Sequence, residues 1–268
     1  MICFPNAKIN LGLNVVDKRP DGYHNIETIF YPIGIEDALE TVHDKVFDFH
    51  QTGLAMDTPK EENLVMKAVR LMQVEYKITS TSTFLIKKIP FGAGLGGGSS
   101  DAAFMLKMLN EMHQLRLSDE RLEELASQLG ADCPFFIKNK PVLATGIGNI
   151  FHPISLSLKD KYICLVKPEE FVSTAEAYAS ITPSAPLMSL SEVIKLPIAV
   201  WKDYMINDFE ASVFPNHPII REIKESLYRH QALYAAMSGS GSSVFGIFDH
   251  PTALASYYSK HFVWEGKL

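Results

Sequence analysis

Pro90-Phe91-Gly92-Ala93-Gly94-Leu95-Gly96-Gly97-Gly98-Ser99-Ser100-Asp101 places five glycines within seven residues. Such a run forgoes ordinary backbone order in exchange for angles and close approaches that a Cβ would forbid. Immediately after it, Ala102, Ala103, Met105, Leu106, Leu109 and Met112 recur at three- and four-residue steps, which predicts a helix with one buried stripe. Ser99 or Ser100 stands where a cap for that helix belongs. A helix start carries unpaired N–H groups and the positive end of the macrodipole, so a glycine loop feeding it makes a cradle for an anion, phosphate above all. The competing reading is a mobile surface linker.

Upstream, Thr79 to Ile89 is rich in β-branched residues and predicts the strand that delivers the chain into the loop. The order is therefore strand, loop, helix. A P-loop would close on Gly-Lys-Ser/Thr, and Gly98-Ser99-Ser100 has no lysine. The dinucleotide spacing G-x-G-x-x-G is present as Gly92, Gly94 and Gly97, but the acidic residue near the required distance, Asp119, follows Ser118 at the start of another helical pattern and not at a strand end.

The chain has 268 residues, of which 47% are hydrophobic, and carries a net charge of −6. That length predicts two domains, and the acidic balance argues against a nucleic-acid surface. Cys3, Cys133 and Cys164 show no zinc-type spacing and no disulfide framework. With no leader pattern and no apolar run long enough to span a bilayer, a cytoplasmic protein without a membrane partner is expected. Oligomeric state is not legible.

From Asn6 the letters alternate, with Ile9, Leu11, Leu13 and Val15 on one face and Lys8, Asn10, Gly12 and Asn14 on the other, which predicts a half-buried strand. Its polar face is either solvated or the wall of a site. Pro20-Asp21-Gly22 predicts a turn, followed by Tyr23 and His24, which suit stacking on a ring or packing beneath a hairpin. Strands are expected over Ile26 to Ile33 and Leu39 to Phe49, then a break at Asp57 to Lys60. A helix beginning near Glu61 or Glu62 would hold Asn63 in its first turn.

Ser118 caps a further helix through Leu122, Leu125, Ala126 and Leu129 that Gly130 closes. Asp132, in the turn behind it, is either the N-cap of a short helix at Cys133-Pro134 or a group placed for chemistry. Strands follow at Val142 to Thr145, around Ile150 and at Tyr162 to Val166, with a linker over Ser155 to Asp160. Helical pieces are expected at Thr174 to Tyr178, Ser189 to Lys195, after Asn207 and over Ile219 to Tyr228. The small-residue loop Met237 to Ser243 precedes the apolar run Val244 to Phe248, as a tight hairpin turn would.

Four stretches together resemble the GHMP kinase family: Pro5-Asn6-Ala7-Lys8-Ile9-Asn10-Leu11, Arg19-Pro20-Asp21-Gly22-Tyr23-His24, Pro90 through Ala102, and Gly130-Ala131-Asp132-Cys133-Pro134-Phe135-Phe136. Ser238-Gly239-Ser240-Gly241 resembles the family's third motif. The first two stretches are similar to the branch that phosphorylates the 2-hydroxyl of 4-diphosphocytidyl-2-C-methyl-D-erythritol in the non-mevalonate route to isoprenoid precursors.

The resemblance implies an α+β fold in two parts, residues 1–157 like ribosomal protein S5 domain 2 and residues 158–268 ferredoxin-like. It implies ATP as donor, with Mg²⁺, its phosphates over Pro90, Phe91, Gly92, Ala93, Gly94, Leu95, Gly96, Gly97, Gly98, Ser99 and Ser100, and Asn63 toward the adenine. Lys8 and Asp132 become the catalytic pair, and Asn10, Tyr23, His24 and Tyr178 hold the acceptor, the last by stacking on its cytosine. No carboxylate ligand for the metal is assigned; Ser100 and Asp101 are the nearest candidates. Mevalonate-type or homoserine-type kinases are the alternatives within the family, and a dinucleotide oxidoreductase the alternative outside it.

Overall fold

The structure, a computed structural model, describes residues 1–54 and 59–268. In chain order the elements are β1 (Ile2–Cys3), β2 (Asn6–Lys18), β3 (His24–Glu36), β4 (Ala38–His43), β5 (Asp48–Gly53), α1 (Leu64–Tyr76), β6 (Thr81–Lys87), α2 (Gly97–Met112), α3 (Asp119–Ser127), α4 (Phe135–Lys138), β7 (Val142–Thr145), β8 (Ile150–Pro153) and β9 (Tyr162–Lys167). There follow α5 (Thr174–Tyr178), α6 (Leu190–Val193), α7 (Ile198–Trp201), α8 (Phe209–Val213), α9 (Pro218–Arg229), β10 (Tyr234–Met237), β11 (Val244–Phe248) and β12 (Phe262–Lys267). The fold is α+β, as expected.

Compact packing divides the chain differently from a cut at 157/158. One unit gathers Met1–Ala7, Ile35–Phe91 and Gly96–Lys140; the other gathers Lys8–Gly34, Gly92–Leu95 and Pro141–Leu268. The first has a sheet in the order β1-β4-β6-β5, antiparallel except for the parallel β5–β6 pair. On α1, Val65, Ala68, Val69 and Met72 are buried, and on α2 Ala102, Ala103, Met105, Leu106 and Leu109 are, and these two helices pack together. The stripe read from the letters is thus the face α2 buries, at about 1.5–3 kcal/mol for each large side chain removed from water.

The second unit holds two sheets, β2-β3-β7-β8 and the antiparallel β10-β11-β9-β12. Cys164 and Val166 of β9, Met237 of β10 and Val244 of β11 share a core with Ile220, Ile223 and Leu227 of α9 and with Leu13 and Val15 of β2.

Several expectations change. The strand expected over Leu39 to Phe49 is two strands, because Asp44 turns the chain out: its carboxylate accepts from Lys45 N at 2.6 Å and Ser82 Oγ at 2.5 Å. Glu61 and Glu62 form a 3₁₀ turn, Lys60–Glu62, and Asn63 is the N-cap of α1, its side chain accepting from Val65 N. Of the break at Asp57 to Lys60, Asp57 and Thr58 lie outside the described residues. Strand β2 is buried on both faces as far as Val15, with Lys8, Asn10 and Asn14 almost wholly enclosed, so it is not half-exposed. The cap of α2 is Gly96, which takes φ +69°; Ser99 and Ser100 lie inside the helix. The short helix behind Asp132, α4, starts at Phe135 with Pro134 in its N-cap position.

Candidate active site

In the first unit, β6 leads to the loop and α2 leaves it. Gly96 turns the chain left-handed, Ser100 N closes the first helical bond on Gly96 O at 2.9 Å, and the N–H groups of Gly97, Gly98 and Ser99 have no acceptor within the helix. Beneath this turn, Lys87 Nζ donates to Asp37 and, at 2.7 Å, to Asp101 Oδ2, all three side chains being at most 3% exposed. Burial, with the Asp37 charge adding to it and Lys87 opposing it, pushes the Asp101 carboxyl up to about 7. Burial alone would lower Lys87, but Asp101 and Asp37 outweigh it and hold the ammonium above its ordinary value.

Asp132 is half-buried in the turn between α3 and α4. Its neighbour Cys133 is buried, and burial raises that thiol to about 11 against a hydrogen bond from Ser99, which sets this turn beside the first turn of α2. Asn63 uses its amide on the fold: Oδ1 caps α1 at 2.9 Å and Nδ2 reaches Gln51 Oε1 at 3.3 Å.

In the second unit, Lys8 Nζ donates to Asn10 Oδ1 at 2.6 Å and to Gly94 O at 3.1 Å, and stands 4.7 Å over the Phe30 ring. The chain continues inward: Asn10 Nδ2 donates to Thr28 Oγ1 at 2.9 Å, and Thr28 Oγ1 to Gly12 O at 2.5 Å. Asn10 therefore orients Lys8. The loop residues of this unit are held one by one. Leu95 O accepts from Lys8 N, Gly94 O from Ser238 Oγ at 2.9 Å, and Ala93 O from Ser243 N, while the Phe171 ring fills the place of a side chain at Gly92. Gly94, at φ +73°, admits nothing larger, because a Cβ there would lie 1.9 Å from Ser238 O.

His24 and Tyr178 stack, their centroids 4.9 Å apart and planes 16° off parallel, and Tyr178 stands edge-on to Phe209 at 4.7 Å. Burial raises the Tyr178 phenol. Tyr23 is 63% exposed beside them in sequence, its backbone closing the turn through Arg19 N. The structure thus brings together Lys8, Asn10, Gly94 and Leu95 in one unit, along with His24 and Tyr178.

Residues 63–140 match the GHMP kinases N terminal domain, and residues 199–263 match the GHMP kinases C terminal. A 4-diphosphocytidyl-2-C-methyl-D-erythritol kinase of Parabacteroides distasonis is 61% identical over the whole of both chains. The chain belongs to the GHMP kinase family. A kinase of the same name from Bacteroides thetaiotaomicron is 55% identical, again over the whole of both chains. Among solved structures, a 4-(cytidine 5'-diphospho)-2C-methyl-D-erythritol kinase superposes with a TM-score of 0.86 at 29% identity, covering 99% of this chain and 98% of that one. The Methanococcus jannaschii mevalonate kinase, at 16% identity and a TM-score of 0.70, shares the fold.

This GHMP kinase thus has the family's two-part α+β fold, and the dinucleotide reading of Gly92, Gly94 and Gly97 is set aside; Asp119 is the first residue of α3 behind its cap Ser118. Thr28, Asp37 and Lys87 were not read as site residues from the letters. Thr28 carries no signal in its strand, but Lys87 is a lysine at an inward position of β6, and that is a usable one. Among the described residues no helix is long and apolar enough to cross a membrane.

Proposed function

We propose that this GHMP kinase transfers the γ-phosphoryl group of ATP to the 2-hydroxyl of 4-diphosphocytidyl-2-C-methyl-D-erythritol. The observation that carries this reading is the 61% identity over the full length of a relative bearing that name. The aromatic pair His24 and Tyr178 supports it, since a flat base needs ring faces to bind against.

The donor's phosphates bind at the N–H groups that open α2, where the helix dipole favours negative charge. Lys8, held in direction by Asn10, neutralises charge on the group in transit. Asp132 orients the acceptor hydroxyl and takes its proton as the new P–O bond forms and the bond to the ADP oxygen breaks. Cytosine binds against Tyr178, and the present 4.9 Å stack with His24 opens to admit it.

Among the described residues no group of three or more His, Cys, Asp and Glu could hold a metal. Mg²⁺ in nucleotide sites needs few protein oxygens, the rest being phosphate and water. The buried Ser100 hydroxyl, which has no hydrogen-bond partner among the described residues, fits as one of them, whereas Asp101 is turned to Lys87. When bound, the ion would neutralise charge on the β- and γ-phosphates.

The test is ADP release by the purified protein with ATP, magnesium and the diphosphocytidyl alcohol. Turnover that depends on the alcohol is expected, and its absence would refute the reading. An Asp132→Ala variant should lose about 10²–10⁴-fold in rate.

A further inference from the structure

Asp37, Lys87 and Asp101 are far apart in sequence and meet beneath the two stems of the glycine loop. Asp37 Oδ1 accepts from Lys88 N at 2.5 Å and Ile89 N at 2.9 Å, the last residues before Pro90. Its other oxygen accepts from Lys87 Nζ, and Lys87 Nζ also donates at 2.7 Å to Asp101 on the second turn of α2. The stems touch directly as well: a Cβ on Gly97 would lie 2.8 Å from Ile89 Cγ2 and 3.3 Å from Lys87 Nζ. The incoming strand end and the outgoing helix are therefore joined through one buried ammonium.

Stability alone does not account for three buried ionisable side chains, because well-packed apolar side chains of similar volume often do as well or better. What charged groups add is direction. The helix start needs it, since Gly96 offers no side-chain cap and the loop's glycines contribute little stiffness of their own. Two carboxylates also face one ammonium, and among the described residues Asp101 Oδ1 has no hydrogen-bond partner, an arrangement that simple burial would not select.

We propose that Asp37, Lys87 and Asp101 form a positioning brace that fixes the first turn of α2 against the end of β6, and so sets the N–H groups that receive the donor's phosphates. They act through the loop and touch neither substrate. This rests on the reading that ATP binds there, and its signature is selective: damage to the brace weakens the donor and spares the acceptor.

The experiment compares wild type, Asp101→Ala and Asp101→Asn. Calorimetry with the β,γ-imido analogue of ATP gives donor affinity without turnover, and steady-state kinetics gives both KM values. In Asp101→Ala, donor affinity is expected to fall about tenfold and donor KM to rise in step, with acceptor KM within about twofold of wild type. Asp101→Asn, which can still accept from Lys87, should recover donor affinity to within about twofold. Unchanged donor affinity in Asp101→Ala, equal rises in both KM values, or an Asn variant as weak as Ala overturns the brace. If the Ala variant does not fold, Asp101→Ser is put to the same comparison. Wild type that fails to bind the analogue would refute the proposed function itself, which keeps the two failures distinct.

Discussion

Replacing Asn10 by Ala removes the carbonyl that Lys8 donates to at 2.6 Å and the amide that donates to Thr28. Thr28 still donates to Gly12 O, so it keeps its own proton bonded and loses only a donor to one lone pair. Lys8 keeps Gly94 O at 3.1 Å and the Phe30 face, so the ammonium stays in place but loses the contact that sets its direction. A hydrogen bond to a charged group is worth about 1.5–3 kcal/mol. If that direction matters only as charge builds on the transferring phosphoryl, the loss appears in kcat, as a fall of about 10- to 150-fold. The assay is coupled ADP release with each substrate varied in turn, and both KM values should stay within about threefold of wild type. A variant that retains more than half of wild-type kcat, or whose loss lies wholly in KM, refutes the orienting role.

Gly94→Ala should cost more than about 2 kcal/mol by chemical denaturation, because its Cβ would meet a backbone oxygen, Ser238 O, at 1.9 Å and the residue holds φ +73°. Tyr178→Ala should raise acceptor KM about tenfold with donor KM unchanged, while Tyr178→Phe keeps the ring and stays near wild type. His113 sits edge-on to His43 at 5.3 Å, and burial, then the His43 charge, hold its pKa below the ordinary histidine value. A depressed histidine pKa means that the unfolded chain binds the proton more readily, so this contribution is fully present above about pH 6.5 and is lost as pH falls through the depressed value. The Tm of wild type should therefore drop more between about pH 7.5 and pH 5 than that of His113→Gln, and parallel pH profiles would contradict it.

The strand, loop and helix around Pro90 to Asp101 were legible because periodicity and glycine content act locally. So were α5 at Thr174–Tyr178 and the Ser118 cap of α3. Lys8 and Asn10 show where local signals stop. Alternation told which residues share a face of β2, yet what covers that face comes from Thr28, 18 positions from Asn10, and from Ser238, whose hydroxyl accepts from Asn10 N, 228 positions away. Two serines near a helix start look like caps, but Gly96 had already turned the chain, so the helix began before them. Asn63 was read one residue too far into its helix, since the acidic pair ahead of it forms a separate 3₁₀ turn. Lys87 alone gives a signal, at an inward position of β6, but its meeting with Asp37 and Asp101 is not legible because the partners sit 50 and 14 residues away.

The central claim is the identity of the acceptor, and the most direct measurement offers the enzyme a choice. Purified protein is given γ-labelled ATP and magnesium with equal concentrations of 4-diphosphocytidyl-2-C-methyl-D-erythritol, mevalonate and homoserine, and the labelled products are separated and identified. Label on the diphosphocytidyl alcohol alone, at its 2-oxygen, is the predicted result. Label on mevalonate or homoserine instead would contradict it.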